Sequence, residues 1–328
     1  MSLLIRRLAA LATGLIVELA VAGPLPGPVV DTQWLASNLD KVQVVDVRSR
    51  VKSFVTEPEF ETDPKTGKKI LSEVGGHIAG SRLIDMKTMR TDRIISGVTV
   101  KYMIPAKADF EKAVQAAGIE AGKPIVLVAV GSEVSDFDDA LRVYWQFKVY
   151  GEDEVAVLDG GMAAWLIEGR AYRVDAASAR PGTWLAKADR SERYFAGSDD
   201  VAKAIESRSA ALVDSRDLSQ FHGLAKRDYV SAYGHLEGAR LFPAELVMKQ
   251  SSGALKFMSA ATYRGLLKGQ GIDPDSPAIT YCNSGHLSSG PWFLMSELLG
   301  NRQVRLYDGS LHQWTLEKRP LVGAVPLN

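Results

Sequence analysis

One cysteine, Cys282, is all that the 328 residues contain. That scarcity excludes a disulfide within the chain, because a single thiol has no partner. Charge of one sign is missing too: lysine plus arginine and aspartate plus glutamate each number 39, with no long run of either. Nothing here calls for nucleic acid or an anionic membrane surface. No apolar run reaches the roughly 20 residues needed to span a bilayer. What remains, 46% hydrophobic and 24% charged, is the composition of soluble globular domains. The length suggests two of them, since single cores stop growing before this size.

The N-terminus has the order of an export signal. Arg6-Arg7 precede the apolar run Leu8 to Val17, and Glu18-Leu19-Ala20-Val21-Ala22-Gly23 follows with small residues at an A-x-A-type site. Residues 1–22 are therefore expected to be a cleaved signal peptide of the general export route, with the mature protein exported or periplasmic. The alternative is an uncleaved amphipathic segment that anchors the chain to the membrane. Gly23-Pro24-Leu25-Pro26-Gly27-Pro28 then reads as an extended leader. An unpaired thiol in an exported protein needs a reason, and catalysis is one.

Cys282 stands in Ile279-Thr280-Tyr281-Cys282-Asn283-Ser284-Gly285-His286-Leu287-Ser288. The apolar lead-in reads as a buried strand, and Ser288-Ser289-Gly290-Pro291-Trp292 reads as a helix start. At such a turn the loop amides and the positive end of the helix favour an anion, which can be the thiolate itself. The competing reading is a small buried hydrophobe.

The chain also repeats itself. Val44-Val45-Asp46-Val47-Arg48 recurs as Ala211-Leu212-Val213-Asp214-Ser215-Arg216, and Gly76-His77-Ile78-Ala79-Gly80-Ser81 recurs as Gly234-His235-Leu236-Glu237-Gly238-Ala239. Pro124 to Ala129 aligns with Pro277 to Cys282. Leu158-Asp159-Gly160-Gly161 aligns with Tyr307-Asp308-Gly309-Ser310, each followed by a tryptophan, Trp165 or Trp314. Spacings shrink toward the C-terminus, so the first half carries insertions; one, Glu57 to Lys69, reads as a solvated loop. Short strands alternate with helical patterns in both halves, which predicts α/β units with mostly parallel sheets flanked by helices. In the second half helices are expected near 198–207, 259–268, 288–299 and 310–316, with strands at 211–213, 278–281 and 304–306. The domains are drawn as 23–178 and 179–328, joined by a linker between Arg173 and Gly182. Asp136, Asp138 and Asp139 after Ala129 read as helix-start residues that neutralise any anion site in the first half.

With those four motifs in order twice, the chain resembles the tandem-domain rhodaneses, the thiosulfate and 3-mercaptopyruvate sulfurtransferases. The resemblance implies two rhodanese-like domains, a catalytic cysteine at Cys282 in the second, and Ala129 at the empty counterpart in the first. It implies that Cys282 attacks a sulfane sulfur of a small donor, holds it as a persulfide, and releases it to a thiol or cyanide. The backbone of Asn283, Ser284, Gly285, His286, Leu287 and Ser288 would cradle the anion, with no metal and no cofactor. The loop is closer to the Cys-Gly-Ser-Gly-Val-Thr of mercaptopyruvate enzymes than to the Cys-Arg-Lys-Gly-Val-Thr of thiosulfate enzymes, because Asn283 and Ser284 replace two cations. A dianion held by amides and His286 alone is expected to bind weakly. Gln220 occupies a position where relatives carry a substrate-binding arginine. Arg216, Arg227 or Lys226, and Asp85 from the first half, are further substrate-binding candidates; His77 and His235 are expected to fix turns.

Two other classes stay in view. A phosphatase would need an arginine six positions after the cysteine, where Ser288 stands. A noncatalytic sulfur-carrier or binding module, loaded by a partner protein in the exported compartment, would need the cysteine but no donor-gripping cations.

Overall fold

The computed structural model describes residues 25–177 and 180–323. The expected signal peptide and the expected boundary at 178/179 lie outside the described residues. Each half is built on a five-stranded, wholly parallel sheet. In the first half the order across the sheet is Val29–Val30, Val155–Leu158, Ile125–Val128, Gln43–Arg48 and Arg82–Asp85. In the second it is Phe195–Ala196, Val304–Tyr307, Ala278–Tyr281, Ala211–Asp214 and Arg240–Leu241. The orders are equivalent strand for strand, so the repeat in sequence is a repeat in space. Continuous apolar strands such as Ile125-Val126-Leu127-Val128 are buried on both faces, as parallel strands under helices must be.

The Asp-x-Arg motif does the same work in both halves. Arg48 pairs with Asp46 and donates to the Gly76 carbonyl at 2.6 Å; Arg216 pairs with Asp214 and donates to the Gly234 carbonyl at 2.9 Å. His77 stacks on Phe54 and His235 on Phe221, and each ring's Nδ1 lies within 2.9 Å of its partner's carbonyl. These residues tie the strand ends to the following turns.

The halves share one core. The helix Val134–Val149 has every residue from Phe137 to Val149 buried, the signature of a helix packed on all sides. It crosses the boundary to meet the second half's helix, with Tyr144 edge-on to Phe293 at 4.8 Å. Two antiparallel hairpins exchange contacts around a pseudo-twofold. The chain leaving Thr91–Ile95/Val98–Met103 gives the Ile104 N–H to Asp308 at 2.8 Å, and the chain leaving Lys249–Ser251/Ala254–Lys256 gives the Phe257 N–H to Asp159 at 2.9 Å. Among the described residues no helix is long and apolar enough to cross a membrane.

Three expectations need adjustment. The stretch Glu57 to Lys69 is not an open loop: Glu59–Thr62 pairs with Lys69–Glu73 as an exposed hairpin. Its side chains face solvent on both sides, so no alternation marked it. The helix expected over 288–299 is α-helical over Ser289–Phe293 and widens to a π turn over Leu294–Leu298. In the linker, Arg173 is not free chain but bridges antiparallel to His77.

Candidate active site

Cys282 ends the Ala278–Tyr281 strand, and the loop that follows curls back toward it. Two loop amides, those of Cys282 and Gly285, donate to the Ser310 hydroxyl at 3.0 and 3.1 Å, and that hydroxyl donates to the Tyr307 carbonyl at 2.7 Å. Ser310 thus pins both ends of the curl from the next strand-helix turn. The N–H groups of Asn283, Ser284, His286, Leu287 and Ser288 donate to no protein oxygen among the described residues. Unspent amides in a tight loop at a helix entry form an anion cradle. Gly285 is required on two counts. Its φ is +71°, and a Cβ there would stand 2.5 Å from an Asp308 carboxylate oxygen.

The first half supplies much of the surround. Arg142, fully buried on the Val134–Val149 helix, pairs with Asp308 and donates to the Gly285 carbonyl at 2.9 Å. Arg90 donates to the Ser284 carbonyl at 2.7 Å, to the Ser284 hydroxyl at 2.8 Å and to the Tyr102 carbonyl at 3.1 Å. Burial pushes Arg90 down to about 10, with Arg142 repelling it and Asp308 and Cys282 opposing the shift. It stays cationic at neutral pH. Asp138, buried on the same helix as Arg142, is held well above the ordinary carboxyl range by burial first and by repulsion from Cys282 second.

His286 projects from the loop toward that helix. Its Nε2 lies 3.2 Å from Asp139, whose other carboxylate oxygen accepts the Ser49 hydroxyl at 2.6 Å. Its Nδ1 is buried with no hydrogen-bond partner among the described residues. Burial lowers His286 below its ordinary value of 6.5, and the hydrogen bond with Asp139 only partly offsets this. The imidazole is neutral at pH 7. Cys282, Asn283, Ser284, His286 and Leu287 line a chamber of about 180 Å³ with Arg90, Arg227 and Tyr229.

Rhodanese-like domains match residues 31–168 and 198–317. The chain belongs to the rhodanese family. A Saccharopolyspora erythraea protein named "Putative thiosulfate sulfurtransferase" is 32% identical to this rhodanese over 260 residues, 77% of this chain and 85% of that one. The sulfur carrier protein TtuD of Thermus thermophilus is 28% identical over 301 residues, covering 88% and 94%. Among solved structures, the 3-mercaptopyruvate sulfotransferase SseA of Escherichia coli superposes with a TM-score of 0.70 at 21% identity, covering 87% of this chain and 98% of that one.

Of the five substrate-binding candidates outside the loop, Arg216, Gln220, Lys226, Arg227 and Asp85, only Arg227 lines the chamber of this rhodanese. Arg216 is 1% exposed in its ion pair with Asp214. Gln220 is also buried; it bonds Asp217 and its Oε1 accepts from the Asn283 side-chain Nδ2 at 2.8 Å, so it props the loop from behind. Asp85 caps the short turn Met86–Met89 through the Lys87 N–H and borders neither this chamber nor the larger one beside it. Ser288 is wholly buried at the helix entry. The expectation that only amides and His286 face the donor fails, because Arg90 reaches in from the first half. Arg90, Tyr229, Asp139 and Arg142 escape a site reading from sequence. Of these only Arg142 left a readable trace, a cation inside the apolar run Ala140-Leu141-Arg142-Val143-Tyr144-Trp145.

Proposed function

We propose that this rhodanese is a sulfurtransferase that carries sulfur from a small anionic donor, thiosulfate or 3-mercaptopyruvate, to a thiol or cyanide through a persulfide on Cys282. The carrying observation is the set of unspent loop amides gathered after Cys282 in a chamber that also holds the Arg90 cation. With thiosulfate, the Cys282 thiolate attacks the outer sulfur, a new S–S bond forms, the donor's S–S bond breaks, and sulfite departs with the electron pair. With 3-mercaptopyruvate, the C–S bond breaks and the thiol proton passes to carbon, leaving pyruvate. Either way the persulfide is anionic, and the same amides stabilise it. A volume of about 180 Å³ suits a donor of this size rather than a larger organic molecule.

The sulfur-carrier reading is favoured by one observation, the 28% identity to TtuD. Arg90 and Arg227 in the chamber favour turnover of a small donor instead. We further propose that residues 1–22 are a cleaved signal and that the mature protein works after export; N-terminal sequencing of the protein recovered from the exported fraction tests this, and an intact Met1 overturns it.

Intact-mass measurement tests the chemistry. Wild type treated with either donor gains one sulfur, which cyanide removes, and Cys282→Ser gains none. No gain with both donors, together with turnover retained in the serine variant, overturns the reading.

A further inference from the structure

Tyr229 lines the same chamber as Cys282. The segment that carries it turns at Arg227, whose carbonyl accepts the Val230 N–H at 3.0 Å, and three contacts then fix the tyrosine. Tyr102 of the first half meets its ring edge-on at 5.4 Å, His312 does so at the same distance, and the Tyr229 carbonyl accepts the His312 Nδ1–H at 2.7 Å. Tyr102 itself has φ +65°, a backbone conformation an aromatic residue adopts only under strain, and such strain concentrates at functional positions.

The phenol's hydrogen is uncommitted. Its one hydrogen-bonding neighbour among the described residues is the Ser284 hydroxyl, 3.4 Å away, beyond the roughly 2.5–3.0 Å of an ordinary O–H···O bond. The other side chains of the chamber have no proton to transfer. Asn283 and Leu287 are not acids, His286 spends its Nε2–H on Asp139, and the Ser284 hydroxyl, which accepts from Arg90, is a far weaker acid than a phenol. Arg90 and Arg227 keep their protons. Burial first, and the charge of Cys282, hold Tyr229 above its ordinary value, with Ser284, Arg90 and Arg227 opposing. The phenol is therefore intact at neutral pH and yields its proton only to a strong base.

We propose that Tyr229 is a catalytic proton relay for one donor and not the other: it protonates the carbon that 3-mercaptopyruvate leaves behind, and thiosulfate has no use for it. The inference rests on the sulfurtransferase reading above and deepens it. When the Cys282 thiolate attacks the sulfur of 3-mercaptopyruvate, an S–S bond forms, the C–S bond breaks, and its electron pair passes into the enolate of pyruvate, a strong base. The Tyr229 proton goes to the enolate carbon and completes a methyl group. The phenolate then takes the S–H proton of the new persulfide, which is the stronger acid of the two. Tyr229 ends as it began, the persulfide is left anionic, and the three hydrogens of the donor's HS–CH2 are balanced by the three of the methyl. With thiosulfate the departing sulfite holds the electron pair as a weakly basic dianion. It needs no proton, and a phenol beside it gives only a hydrogen bond.

Loading rates test this. Wild type and Tyr229→Phe are mixed with saturating 3-mercaptopyruvate or thiosulfate and quenched at intervals, and the gain of one sulfur is counted by intact mass. Phenylalanine keeps the ring and its edge contacts, and thiosulfate loading checks within the same variant that the loop still works. Tyr229→Phe should load about a hundredfold more slowly from 3-mercaptopyruvate, within the range typical of general acid catalysis. From thiosulfate it should lose no more than about tenfold, the worth of one neutral hydrogen bond. Equal losses with both donors, or no loss with either, would make Tyr229 part of the wall and not of the reaction. Wild type that loads from thiosulfate alone would overturn the relay as well. If neither donor loads wild type, the sulfurtransferase reading itself fails.

Discussion

The loop after Ile125–Val128 and the loop after Ala278–Tyr281 occupy the same place in the same sheet order, yet one is closed and the other open. In the first, the Asp136 carboxylate accepts the N–H groups of Ser132 and Glu133, each at 2.9 Å. The chain plugs its own anion site. In the second, Ser289 stands at the position matching Asp136, and most of the loop's amides remain unspent. The following turns differ in the same sense. Gly161 and Ser310 both have positive φ, +57° and +47°, which glycine adopts freely and serine does not. The strained serine supplies the hydroxyl that ties Cys282 and Gly285 together. The first half has therefore lost more than a cysteine, and what it keeps serves the other loop: Asp139 and Arg142 stand on the helix that begins at its closed cradle.

Exchanging the two loops' chemistry should produce the largest effect. Cys282→Ser should abolish transfer with little change in the melt, and adding Ala129→Cys to that variant should restore nothing, because Asp136 fills the cradle; detectable turnover in the double variant would erase the contrast. Next in size is Arg142→Met. It strips the buried Asp308 of its counter-charge, and breaking such a pair from one side costs about 3–5 kcal/mol, read by denaturant unfolding. Adding Asp308→Asn should recover part of that loss, and no recovery would mean Arg142 matters through packing alone.

Smaller, and confined to the open loop, is Arg90→Ala. Loss of a partly desolvated cation worth about 1–2 kcal/mol should raise the thiosulfate KM by roughly 5- to 30-fold. Arg227→Ala, at an exposed position, should do less and fade with salt; equal effects would show that reach across the halves confers no advantage. The smallest shift concerns pH. His286 is lowered by burial and partly restored by Asp139, so the acid limb it contributes to turnover should fall below pH 6.5 in wild type. Asp139→Asn removes the group that favours the protonated ring and should move the limb lower still. A limb that stays in place would detach the pair from the chemistry.

Several elements were legible because local physics decided them. The strand Ala278–Tyr281 and the helices Ser198–Ser207 and Ser310–Leu316 match their expected ends, since unbroken apolar runs and helix signals specify them within a few residues. Cys282 stood out by scarcity. The cation that faces it did not, because Arg90 and Ser284 lie 194 residues apart and no local pattern encodes that approach. The acidic residues after Ala129 divide between two roles. Asp136 opens the helix and fills the first loop, as expected, while Asp139, three residues on, turns to the other domain's histidine. Repeat logic assigns roles half by half, and the site is assembled across halves.

Because Arg90 and Asp139 come from one half and Ser284 and His286 from the other, whatever occupies the space between them acts as a reversible cross-link. It binds the assembled pair and not the parted one, so occupancy adds to the stability of the whole chain by mass action, about 2.7 kcal/mol at a hundredfold excess over Kd. Substrate supply and resistance to unfolding are in this way coupled through one arginine.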